Sequence, residues 1–153
     1  MNEPAEPHGD FVAAFESAFA RLQVRVEEAC ASEEDWPRAV AAGIRATLEF
    51  AATEPVAANT LTNEALARGP DGVARNRRLV SYAAALLEPG RERITGAVPA
   101  VLEQALAGGI AFLIAHRLAL GEERELLALV ADMTEFVLAP YVGPAEARRI
   151  ARS

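Results

Sequence analysis

Lysine is absent, so all 15 basic side chains other than histidine are arginine, an effect of codon composition that carries no mechanism. The single cysteine, Cys30, excludes an internal disulfide and any multi-cysteine metal site. Only His8 and His116 supply imidazole, and no Glu-x-x-His pair exists, so the di-iron bundle pattern is missing. Serine, Cys30 and histidine form no recognisable nucleophile arrangement, and Gly108-Gly109 lies inside a helical pattern rather than in a phosphate-cradling loop. No catalytic residue, metal site or cofactor is therefore expected, and the chain does not read as an enzyme. Long alternations of Val, Ile, Thr and Tyr are lacking, which removes the β classes. The N-terminal MNEPAEPHGD has neither the basic start nor the apolar centre of a signal peptide, and the expected location is cytoplasmic. Basic charge is in deficit: a net charge of −7 repels phosphate backbones, so no direct nucleic-acid contact is expected.

What is present is alanine-rich and helical. A 52% hydrophobic content over 153 residues is ample core for one domain, expected over 9–153, with residues 1–8 a disordered lead-in. Phe11, Phe15, Phe19, Leu22 and Val26 recur at helical spacing behind Asp10 as a cap, and three phenylalanines on one stripe read as core. Trp36-Pro37 opens a second helix, with Val40, Ile44, Leu48 and Ala51 inward. Pro55 opens a third, PVAANTLTNEALAR, halted by Gly69-Pro70, and Asp71 caps a fourth that Pro89-Gly90 ends. RERITGAV is a connecting loop. Pro99 starts the fifth long helix, Gly121 stops it, and a sixth runs from about Glu122 to Ala139. Pro140 and Gly143-Pro144 set off a short arginine-bearing C-terminal helix. The expected fold is all-α, an antiparallel bundle of about six to seven helices.

The fifth helix carries ALAGGIAFLIA, Ala105 to Ala115, without a charge or a hydrogen-bonding side chain. A helix apolar all round must be covered all round. At roughly 20 residues for a bilayer crossing, this run is too short to span a membrane, and no membrane partner is expected. Ala100, Gln104, Gly108, Ala111 and Ala115 form a lane of small residues, and Leu102, Leu106, Gly109, Leu113 and Arg117 a bulkier one. Small lanes admit a close helix and bulky lanes fill a core. The sixth helix has two apolar lanes as well, one through Leu126, Val130, Met133 and Val137, the other through Leu129 and Phe136. Together they predict a homodimer with a four-helix interface, contributed by Gln104, Gly108, Ala111, Ala115, Val130, Met133 and Val137. The competing arrangement is a monomer whose last helices are the centre of its own bundle.

EDWPRAVAAGIRATLEFAATEP, EALARGP, LEQALAGGIAFLIAHRLALGE and LVADMTEFVLAPYVGPAEA, in that order, resemble the C-terminal domain of TetR-like transcriptional regulators. The resemblance runs from about Phe11 to Ala151. It implies an all-helical domain that dimerises through its last two long helices, encloses a ligand pocket between earlier ones, and re-orients an N-terminal three-helix DNA-binding head. Only ten residues precede Phe11, a stretch of net acidic character, so the helix-turn-helix of the family is expected to be absent from this chain.

A pocket of that kind is apolar with a few inward polar groups. Asn59, Thr60, Thr62 and Asn63 form a polar cluster on the third helix, either facing a ligand or facing solvent. Tyr82 either orients a ligand through its hydroxyl or is a core tyrosine satisfied elsewhere. Gln104 reaches a pocket or pairs across the dimer, while Phe50 and Phe112 are cavity wall or plain core. Trp36 staples the second helix to its neighbours, and His116 with Arg117 suits the C-terminal end of a helix dipole. The expected ligand-binding set is Phe50, Asn59, Thr62, Asn63, Tyr82, Gln104 and Phe112. The expected function is a ligand-binding and dimerisation domain taking a small, largely apolar molecule; the alternative is a solid-packed dimeric module that pairs with a full-length regulator.

Overall fold

The computed structural model describes residues 7–153, which are all-α and contain no strand. Of the expected lead-in at residues 1–8, residues 1–6 lie outside the described residues and Pro7 and His8 belong to α1 (Pro7–Ala31), so Asp10 sits in the first turn rather than at its cap. Next comes α2 (Trp36–Thr53), where the Asp35 carboxylate accepts from the Arg38 N–H at 2.9 Å and Pro37 fills the first turn. The third expected helix is present with an irregular centre: α3 (Pro55–Asn59), a π-helical turn Thr60–Glu64, then α4 (Ala65–Ala67). The Asn76 amide donates to the Leu61 carbonyl at 3.0 Å, supplying this widened turn with a side-chain partner. Gly69, at φ +72°, begins α5 (Gly69–Leu87), two residues before Asp71. A 3₁₀ segment Glu88–Arg93 leads through a loop to α6 (Leu102–Ala119), and 99–101 form a turn ahead of it.

The sixth expected helix divides into a 3₁₀ segment Glu123–Leu129 and α7 (Val130–Val142). α7 continues through Pro140 instead of ending there. Proline's fixed φ is helical, and its missing N–H costs only the bond to the carbonyl of Phe136, on the exposed side of the helix. The helix ends at Gly143, whose φ of +87° lets its N–H close back on the Ala139 carbonyl. α8 (Pro144–Ala151) then folds onto α7 and α2. Among the described residues no helix is long and apolar enough to cross a membrane.

Two packed pairs shape the interior. α1 lies along α2, with Phe11, Phe15, Phe19, Leu22 and Val26 buried as one stripe, while α5 lies along α6. Behind α2, the inner face of α7 and Leu126 complete a solid core. α5 meets α1 through long side chains: Arg75 and Arg78 both reach Glu16 at 2.6 Å, and the rings of Phe19 and Tyr82 meet edge-on at 5.7 Å. The facing positions of α2, α5 and α6 are small (Ala39, Gly43, Ala83, Ala107 and Ala111), so a space between the pairs is left unfilled.

Several of the expected interface residues are inward in this chain. Val130, Met133 and Val137 are buried in its own core. Ala115 is buried too, and Ala111 turns toward the interior space rather than outward. The side of α6 that is bare passes instead through Val101, Gln104, Ala105, Phe112 and Leu120, with half-buried Gly108 between them.

Candidate functional site

The space between the helix pairs is a cavity of about 360 Å³. Leu22, Val26 and Cys30 of α1 and Ile44, Thr47 and Phe50 of α2 form one wall. Leu79, Val80 and Ala83 of α5 with Ala107, Ile110 and Ala111 of α6 form the opposite one. Ala58, Leu61 and Thr62 close the end beside the π-helical turn, and Trp36, Leu86 and Pro89 frame the other. No charged side chain lines it among the described residues. Thr47 and Thr62 have already committed their hydroxyl protons, each donating to the carbonyl four residues back, Gly43 and Ala58, at 2.8 Å. The Cys30 thiol donates to the Ala39 carbonyl at 3.4 Å, and burial pushes its pKa up, aided by the negative charge of Glu27.

Of the expected ligand-binding residues, Phe50 and Thr62 stand on this wall. The other five do not. The Asn63 amide donates to Asn59 Oδ1 at 3.1 Å and to the Ala115 carbonyl of α6 at 2.8 Å, so this pair braces the π-helical turn against α6. Gln104 is exposed, and Phe112 stands on the outer face of α6, stacked on His116 at 5.9 Å. Tyr82 flanks the cavity on the α1 side of α5. Its Oη is buried with no hydrogen-bond partner among the described residues, and burial, followed by the charge of Glu27, pushes its pKa up to about 12. The unexpected members of the site are Trp36 and the inward alanines. Their signal was in the sequence, since Ala39-Gly43 and Ala107-Ala111 place small residues at consecutive inward turns where a filled core needs bulk.

Trp36 is held from three sides. Its Nε1–H donates to the Leu86 carbonyl at 3.1 Å, its ring meets Tyr141 edge-on at 5.1 Å, and Gly90 lies flat against both rings. Tyr141 in turn donates to Glu103 Oε1 at 3.3 Å. Glu103, 4% exposed at the start of α6, receives two further bonds from the Arg91 guanidinium, at 2.8 and 2.6 Å. Arg91 also donates to the Pro99 carbonyl at 3.0 Å, so one buried carboxylate ties the 3₁₀ segment, the loop and α7 to the first turn of α6. The Arg91 hydrogen bond holds the Glu103 carboxyl below its ordinary value of 4.5, more than offsetting the upward push of burial.

A carboxyl whose pKa is depressed by folding contributes stability that is fully present above its unfolded value and is lost as pH falls through the folded one. The urea midpoint of the native chain is therefore expected to drop as the pH falls below the ordinary carboxyl range, and Glu103→Gln should flatten that drop while lowering the midpoint at neutral pH. Equal pH slopes in the two proteins would show that Glu103 is not the linked group. With this geometry in view, comparison with family models, curated proteins and solved structures finds no match.

Proposed function

We propose that this chain is a small-molecule-sensing and dimerisation domain, similar in role to the regulatory domain of TetR-like transcriptional regulators. The observation that carries the reading is the apolar cavity of about 360 Å³ between two helix pairs. A preformed space of this size and lining is what small-molecule sites have, and an apolar cavity of about 150 Å³ already takes up benzene. It favours sensing over a module whose interior is packed solid. Occupancy has a route outward, because the cavity wall includes α1, Trp36 and the π-helical turn that Asn63 ties to α6. In TetR-like regulators ligand binding re-orients an N-terminal DNA-binding head.

The second half of the reading is the pairing of two copies. Phe112 on α6 and Phe136 on α7 are 67% and 53% exposed, and Gly109 sits beside Phe136, so the two helices share one apolar face. Leu120 and Leu127 extend it. At Gly108 an added Cβ would meet nothing within this subunit, leaving room for the backbone of another helix. An apolar face built from two adjacent helices is self-complementary about a two-fold axis, and burying it in a second copy gives a four-helix contact.

Ligand uptake is tested by thermal unfolding with a panel of small neutral hydrocarbons, alcohols and phenols. A compound at about 100 times its Kd stabilises the fold by ~2.7 kcal/mol, a rise of several degrees. Ala83→Phe, which fills the cavity from α5, is expected to abolish that rise while leaving the unliganded protein folded. Identical rises in both proteins, or none in the native one, would remove the sensing reading.

A further inference from the structure

The cavity's chemistry narrows what it can hold, and the following rests on the sensing reading above. We infer that the ligand is an uncharged, hydrocarbon-bodied molecule, carrying no more polarity than a hydroxyl, and that the site excludes carboxylates and ammonium ions of the same shape. Three observations carry this. The wall contains no charged side chain among the described residues, so a buried ion of either sign finds no counter-charge. The two hydroxyls on the wall donate to their own helices at 2.8 Å, which leaves them lone pairs and no proton for an anion. The two guanidinium groups stacked on wall rings do not line the cavity: Arg25 lies over the Phe50 ring at 5.2 Å and Arg93 over Trp36 at 5.8 Å.

Tyr82 Oη, buried without a hydrogen-bond partner among the described residues, does not line the cavity. It lies at the seam between α1 and α5, beside Glu27, whose charge bears on both Tyr82 and the Cys30 thiol. A ligand hydroxyl would donate to Thr47 or Thr62 without leaving any charge unpaired. Polarity without charge is therefore accommodated, and charge is not.

Three rigid probes of equal size separate the cases: 1-adamantanemethanol, adamantane-1-carboxylate and 1-adamantylmethylammonium. Their cage cannot uncoil to leave a charged end in water. Trp36, the only tryptophan, frames the cavity, so its fluorescence reports occupancy without interference from these transparent probes. At neutral pH the alcohol is expected to bind, and each ion to bind at least about thirtyfold more weakly, because its charge is buried without a partner. Ala83→Phe should lose the alcohol's signal, which locates it in this cavity. Either ion binding within about thirtyfold of the alcohol would overturn the inference while leaving the sensing reading intact. Failure of all three, together with no thermal shift from the wider panel, would overturn both.

Discussion

Gly90→Ala is expected to cost about 3 kcal/mol of stability and to change the Trp36 fluorescence. An alanine Cβ at this position would overlap the Trp36 ring, standing 2.6 Å from Cζ2, and would reach Tyr141 Cδ1 at 2.7 Å. Overpacking is mild where a flexible side chain can swing away, but both of these rings are fixed. Trp36 holds the Leu86 carbonyl through its indole N–H, and Tyr141 holds buried Glu103 through its hydroxyl. Moving the Trp36 ring breaks its hydrogen bond to Leu86, and moving the Tyr141 ring leaves a buried polar group without its partner, a penalty added to the steric one. Tyr141→Phe is the control: it removes one hydrogen bond without adding volume and should cost about 1 kcal/mol. Equilibrium urea unfolding measures both. An alanine tolerated at position 90 with no loss of midpoint would show that the rings yield freely and that the Trp36 end of the cavity is soft.

The second large effect concerns assembly. Native protein is expected to scatter light as a dimer, and Phe112→Asp with Phe136→Asp as a monomer. Aromatic side chains at the centre of an interface commonly carry 2 kcal/mol or more each, and a two-fold axis makes every substitution count twice. Replacing both rings with carboxylates also sets like charges against each other across the axis. The comparison that gives the result meaning is Met133→Ala. Met133 was an expected interface residue, yet it is buried in this subunit's own core, so its truncation should cost roughly 2–4 kcal/mol of stability without dissociating the dimer. A Met133→Ala monomer, or an aspartate double variant that stays dimeric, would return the interface to the opposite side of these helices.

That contrast shows what periodicity could and could not deliver. Helix limits were legible where a residue has one local use: Asp35-Trp36-Pro37 starts α2, and Pro89-Gly90 and Gly143 follow helix ends. They were misread where chemistry tolerates two outcomes. Pro140 breaks a buried helix but rides the exposed side of α7 at the cost of one carbonyl bond. The π-helical turn at Thr60–Glu64 was invisible because a side chain from α5, Asn76, supplies a partner for its Leu61 carbonyl. Asn59 and Asn63 looked like a polar lining, yet one amide proton went to each other and one to the α6 backbone.

The small lane of α6 is the sharpest case. Alanine at consecutive turns permits a close helix or permits a gap, and the sequence of one helix does not contain the distance to its neighbours. Ala111 faces the gap, while Gly108, one position round, faces outward. The apolar character of ALAGGIAFLIA was legible; its division between a cavity and an exposed face was decided by how far α5 and α6 stand from α1 and α2.

That spacing has a volumetric consequence. A chain whose own side chains leave interior space unfilled occupies more volume folded than the same packing would without it, and unfolding gives that space back to water. Hydrostatic pressure therefore works against this domain in proportion to the space between its helix pairs. Under the sensing reading, a molecule seated there would reclaim part of that volume, and the liganded form would resist compression that the unliganded one does not.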